Sequence, residues 1–229
     1  MEAWALVDWD NTIRPGFVMI DWIDYLADHE ISQPALAGAM REHEQSWREG
    51  RIDYHDFIRN IISIYQHAEP AIDVQLLHDH AKAFVAQDKS FLADLSVGST
   101  LLHLFQVLDI NVHVVSGAPS VVLHEYQRRH HCIKRVTGVS SENQAGNLFE
   151  FKRGVARMYT TSPALFGIGD SETDIPLFEG SRHPIGINFS PTALLEKEGM
   201  SVKTTAALTL SHEVRAQLSR YINKCYDLR

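Results

Sequence analysis

Two textures of hydrophobic and polar positions divide the chain. From Phe17 to about Val85 the apolar residues recur at three- and four-residue steps, the spacing of one face of a helix. FVMIDWIDYLADH sets Val18, Trp22, Tyr25 and Leu26 on such a face. ISQPALAGAMREHEQSW follows, with Ser32 placed as N-cap and Pro34 in the first turn. Gly50 interrupts the pattern, Asp53 can cap YHDFIRNIISIY, and a fourth helix is expected over about Ile72 to Val85. Together these make a small helical bundle.

After the bundle, short apolar runs alternate with helical periods. Strands are predicted at Trp4 to Val7, INVHVVSG, IKRVTGV, NLFEF, ALFGIGD and HPIGIN. Helices are predicted at Gly98 to Leu108, Pro119 to Arg129, Arg153 to Tyr159, Thr173 to Phe178, Pro191 to Lys197 and Ser211 to Tyr226. Strand and helix in alternation imply an α/β fold, a Rossmann-like parallel sheet with helices on both faces. The first strand has no partner of its own and must join that sheet. The bundle is then an insertion: residues 16–88 form a helical cap on a core of residues 1–15 and 89–229.

In parallel sheets of this kind ligands bind beyond the carboxyl ends of strands, where strand order reverses. Three predicted strands end in residues able to do chemistry. The first runs into Asp8-Trp9-Asp10-Asn11-Thr12, the second ends in Ser116-Gly117-Ala118 before a helix, and ALFGIG ends in Asp170 with Asp174 four residues on. Taken singly, each is an ordinary turn or cap. Their conjunction on one sheet edge is not, because clustered carboxylates repel one another unless a cation sits among them. Oxygen ligands without His or Cys suit Mg²⁺. The Ser116 hydroxyl, the Gly117 N–H and the following helix N-terminus offer an anion seat. A metal beside an anion seat reads as a phosphoryl site, in which a carboxylate can attack phosphorus. A cation is wanted on the other side; Lys152 is the candidate, with Lys134 and a plain surface role for Lys152 as alternatives.

Composition changes this picture little. The net charge of -8 argues against nucleic-acid and anionic-membrane partners, which are bound through excess Lys and Arg. Cys132 and Cys225, without metal-type spacing, are expected as reduced thiols of a cytoplasmic protein. No signal peptide or membrane anchor is expected from MEAWALVDWD or from any later apolar run. His130-His131-Cys132 has no matching ligands and is not read as a metal site. Trp22, Trp47 and Tyr54 belong either to the bundle core or to a pocket wall.

These residues resemble the four motifs of haloacid dehalogenase (HAD) superfamily phosphatases. DWDNT is similar to DxDxT, VVSG to the second motif, Lys152 to the third and GDSETD to GDxxxD. The insert after the first motif resembles the C1 cap of phosphoserine-phosphatase-like members. The resemblance implies a Mg²⁺-dependent phosphomonoester hydrolase acting on a small phosphorylated metabolite. Asp8 would be the nucleophile and Asp10 the general acid and base. Asp8, the Asp10 carbonyl and Asp170 would hold the metal with support from Asp174, and Ser116, Gly117 and Lys152 would hold the phosphoryl oxygens. Asp10 sets such an enzyme apart from dehalogenases of the same fold, whose halide leaves without a proton. A phosphotransferase, a dehalogenase and a receiver-like phospho-aspartate switch remain the rival readings. The segment Ile13 to Ile20 lacks the early glutamate that grips phosphoserine, so phosphoserine is disfavoured. Arg14 there is either a cation at the mouth for a substrate carboxylate or second phosphate, or a support for the motif.

Overall fold

The first strand, β1 (Trp4–Val7), lies in the middle of the sheet because its inner residues Ala5, Leu6 and Val7 are apolar on both faces. The computed structural model describes residues 2–89, 96–143, 145–189, 194, 196–204 and 210–228. Around β1 it sets β2 (Asn111–Pro119), β3 (Ile133–Val139), β4 (Ala164–Gly169), β5 (Ser181–Ile187) and β6 (Met200–Val202). The order is β3-β2-β1-β4-β5-β6 and every pairing is parallel. Val7 is in register with Val114 on one side and Ile168 on the other. Strand order therefore reverses at β1 and β4, and the crevice beyond their carboxyl ends is where such folds bind ligands.

Between β1 and β2 come α1 (Val18–Asp28), α2 (Pro34–Arg48), α3 (Tyr54–Ala68), α4 (Val74–Gln87) and α5 (Val97–Val107). Side chains start several of them: Asp53 accepts from the Asp56 N–H, Asp73 from Leu76 and Ser96 from Ser99. Pro34 occupies the first turn of α2 as the sequence predicts, but the cap is Gln33, without a side-chain bond; the Ser32 hydroxyl turns away and donates to the Ile23 carbonyl. The remaining helices are α6 (Ser120–Arg129), α7 (Leu148–Ala156), α8 (Ile175–Glu179) and α9 (His212–Asp227), the last capped by Ser211. One hydrophobic cluster runs from Val7, Val114 and Ile168 in the sheet to Trp22, Ile61 and Phe84 in the inserted helices. Among the described residues no helix is long and apolar enough to cross a membrane.

Two expectations need correction here. NLFEF is no strand: Asn147 caps α7 by accepting from the Glu150 N–H, and Leu148, Lys152 and Val155 form its buried face. Alternation over five residues cannot separate a strand from the first turn of a helix, whereas an Asn with Glu three places on marks a helix start. Strand β2 also runs on past Ser116 and Gly117 through Ala118 to Pro119, so α6 begins at Ser120, one residue after its predicted start at Pro119. The three-residue β6 lies outside the predicted elements, and the predicted helix from Pro191 to Lys197 falls largely outside the described residues.

Candidate active site

The ladder of β1 continues one residue past the strand, since the Asp8 N–H donates to the Ile168 carbonyl at 2.9 Å. That bond fixes where Asp8 leaves the sheet. The chain then turns tightly. The Trp9 carbonyl accepts from the Ile13 and Arg14 N–H groups at 2.8 and 3.0 Å, and Asn11 takes a left-handed φ of 55°. Asn can adopt that conformation because its short amide bonds locally. Here the amide oxygen accepts from the Gly16 N–H. Trp9 points away from the crevice into the core, its ring centroid 4.6 Å from that of Tyr126. Asp10 meets the start of α1, where its Oδ1 accepts from the Val18 N–H at 3.1 Å.

From the neighbouring strand come Asp170 and Asp174. Gly169, the last residue of β4, must be glycine, because a Cβ there would lie 2.3 Å from the Cβ of Asp174. Asp174 is spent on structure: its Oδ2 accepts from the Asp170 and Ser171 N–H groups and the Ser171 hydroxyl, and its Oδ1 from Lys152 at 2.5 Å. Thr12, fully buried, donates to Asp170 Oδ1 at 3.0 Å. Ligand oxygens of Asp8, Asp170 and Asp174 all lie within 4.8 Å of one another.

Lys152 is buried on α7, with Nζ 2.8 Å from Asp8 Oδ1 in an ion pair. Lys134, the alternative cation, stands exposed near the start of β3, at the opposite edge of the sheet. Asp8, Asp10, Ser116, Gly117 and Lys152 line one cavity of about 20 Å³, closed from above by Tyr54, Ile58, Ile61 and Ile62 of α3. Asp170 lies beside it on a wider cleft of about 610 Å³, which Trp47, Tyr54 and Ser171 also line. Trp22 instead is core.

Burial disfavours ionised carboxylates, and one cation does not compensate three of them. Desolvation raises Asp8, with Lys152 pulling it back and Asp174 adding to the rise. Asp10 is pushed up to about 7 by burial first and the Asp8 charge second. Asp170 is raised well above the usual carboxylate value by burial, Asp174 and Asp8. Burial, then the Asp170, Asp8 and Asp174 charges, raise the Tyr54 hydroxyl well above its normal value and keep it protonated. A second cation among these acids would lower all three carboxyl groups.

Arg14 is not a free cation at the mouth. It is buried and held by Asp88 at 2.7 Å and Asp21 at 2.9 Å, and the Tyr126 hydroxyl donates to Asp88 as well. The support reading of Arg14 is the one this geometry matches. Tyr54 takes the pocket-wall place that is one of its two readings, whereas Ile58, Ile61 and Ile62 of the roof, together with Thr12 and Ser171, went unassigned by sequence reasoning. Thr12 carried a signal in DWDNT, while the roof residues showed only an apolar helix face.

Comparison with solved structures defines the class of fold. A protein of unknown function from Bordetella pertussis Tohama I aligns with a TM-score of 0.62 at 16% identity, over 88% of this chain and 99% of that one. A substrate-bound phosphoserine phosphatase gives 0.56 at 12%, over 88% and 93%. A HAD family hydrolase from Salmonella enterica serovar Typhi gives 0.55 at 15%, over 88% and 68%. The chain has the HAD fold in its phosphoserine-phosphatase-like form. No sequence-family model and no curated protein matches it.

Proposed function

We propose that this protein is a Mg²⁺-dependent phosphomonoesterase, acting on a small phosphorylated metabolite through an aspartyl-phosphate on Asp8, with α1 to α4 as its cap. The observation that carries this reading is the convergence of Asp8, Asp10, Ser116, Gly117 and Lys152 on one cavity beside the Asp170 and Asp174 carboxylates.

Asp8 attacks phosphorus, and the ester P–O bond breaks as Asp10 gives its proton to the departing alkoxide. Asp10, now ionised, takes a proton from water. That water attacks the same phosphorus, and the bond from Asp8 breaks to release phosphate. A pKa of about 7 suits both halves of the task, since the group must give and take a proton at neutral pH. The Ser116 hydroxyl, the Gly117 N–H and the Lys152 ammonium hold the phosphoryl oxygens as charge shifts among them.

The donor set fits Mg²⁺: it is all oxygen, and Asp174 already accepts from four donors, which leaves Asp8 and Asp170 to face an ion. Asp8, the Asp10 carbonyl and Asp170 would hold it, with Asp174 in support. Bound there, Mg²⁺ supplies positive charge that keeps Asp8 ionised and offsets the charge of the phosphate. Asp10 favours ester hydrolysis over dehalogenation, because an alkoxide needs the proton that a halide does not. Cys132 and Cys225, both buried free thiols, suit a cytoplasmic protein.

Phosphate release from an aryl phosphate in the presence of Mg²⁺ tests the reading. Wild type should release phosphate and Asp8→Asn should not while keeping its circular dichroism; equal rates would remove the mechanism.

A further inference from the structure

We infer that the leaving group this site accepts is uncharged and largely apolar, an alkyl or aryl alcohol and not a zwitterion or a second anion. The inference rests on the phosphomonoesterase reading and narrows its substrate class. On the side facing the catalytic residues, the inner cavity is walled by Phe17, Met19, Ile58, Ile61, Ile62 and Leu148, with the ring of Tyr54. Among the described residues lining it, the only charges are those of Asp8, Asp10 and Lys152. Met19, Ile61 and Ile62 are almost wholly withdrawn from water, so a charged substituent between them would have neither solvent nor a counter-ion.

The charged groups that flank Phe17 and Met19 in sequence are committed elsewhere. Arg14, the cation of the loop after β1, is held between Asp88 and Asp21, which denies it to a substrate carboxylate. Asp21, the first acid after that loop, faces Arg14 with one oxygen and Arg41 at 3.5 Å with the other, which denies it to a substrate ammonium.

The inner cavity has room for about one water. An organic group must reach past it, and Ile58 and Leu148 also form part of the wall of a cleft of about 480 Å³ between α3 and α7. That cleft adds Phe149 and Ile175. Its one Arg or Lys among the described residues, Arg59, is paired with Asp56 at 2.5 Å. A tail passing between Ile58 and Leu148 thus meets apolar side chains first, while His55, Asn147 and Glu172 line the same cleft and Glu172, facing His55 at 3.7 Å, is open to water.

The test compares kcat/KM for n-butyl phosphate and O-phospho-L-serine, both primary alkyl esters, in the same Mg²⁺ buffer. Wild type should favour n-butyl phosphate by about tenfold or more, the scale set by burying unpaired charge. Met19→Gln, nearly isosteric, should shrink that ratio several-fold through KM for the butyl ester; an unchanged ratio in a folded variant counts against the wall as its source. Phosphoserine turned over as well as or better than n-butyl phosphate, with both reactions lost in Asp8→Asn, overturns this inference and leaves the phosphomonoesterase reading standing. Release that survives in Asp8→Asn overturns that reading, and this inference with it.

Discussion

Lys152 and Asp174 form a fully buried ion pair, Nζ to Oδ1 at 2.5 Å. The pair ties α7 to the loop after β4 and holds the ammonium against Asp8. Removing one partner of a buried pair leaves the other charge without compensation. Lys152→Met is expected to lose phosphate release and about 3–5 kcal/mol of stability in urea titration. A wild-type midpoint in that variant would contradict the structural role.

The acids predict an unusual pH dependence for the metal-free protein. Asp10 moves from 3.8 to about 7 on folding, so the folded state binds its proton more tightly than the unfolded chain does. Stability from this group is then greatest in acid and declines as pH rises through the window from 3.8 to about 7. In EDTA the melting temperature should fall between pH 5 and pH 8, and Asp10→Asn should flatten that fall.

Mg²⁺ should reverse the trend. A ligand bound only by the folded state stabilises it by about 2.7 kcal/mol at one hundred times its Kd. The gain should grow as pH rises through about 6 to 7, where Asp8 and Asp10 give up their protons. Thermal shift with and without Mg²⁺ measures it, and Asp170→Asn is expected to abolish most of the shift. An equal shift in that variant would place the ion elsewhere.

Arg14 joins two chain crossings. It sits in the loop after β1, and its partner Asp88 directly follows α4, so the ion pair links the entry to the inserted helices with their exit. Arg14→Met is expected to cost about 3 kcal/mol in urea titration, and Arg14→Lys to recover only part of it, because an ammonium cannot hold both carboxylates as a guanidinium does.

What could be read from the sequence depended on range. Strands β1 and β3 match their predicted spans, β1 because a strand buried on both faces is written as a short apolar run and β3, an edge strand with Lys134 and Arg135 exposed, through its β-branched residues. Asp53 caps its helix as predicted because capping is local. The pairing of Lys152 with Asp174 across 22 residues was open to a motif-level reading through GDSETD, although Lys152 was placed at the edge of a helix and not inside one. The tie from Arg14 to Asp88 spans 74 residues and follows no motif, so nothing local betrays it. The roof of the cavity is similar: the apolar stripe of Ile58, Ile61 and Ile62 is visible in α3, but whether it faces core or crevice is decided by tertiary packing. Strand β6, three residues among polar neighbours, carries too short a pattern to register.

The central claim is a covalent bond between Asp8 and phosphorus. Its most direct measurement is acid quenching of wild type during turnover of an aryl phosphate with Mg²⁺, followed by mass spectrometry of the peptide that contains Asp8. The account predicts a phosphoryl adduct on Asp8 that is absent from Asp8→Asn and accumulates in Asp10→Asn, where its hydrolysis loses the base. Turnover with no adduct on Asp8 in either wild type or Asp10→Asn, or an adduct carried by another residue, would contradict it.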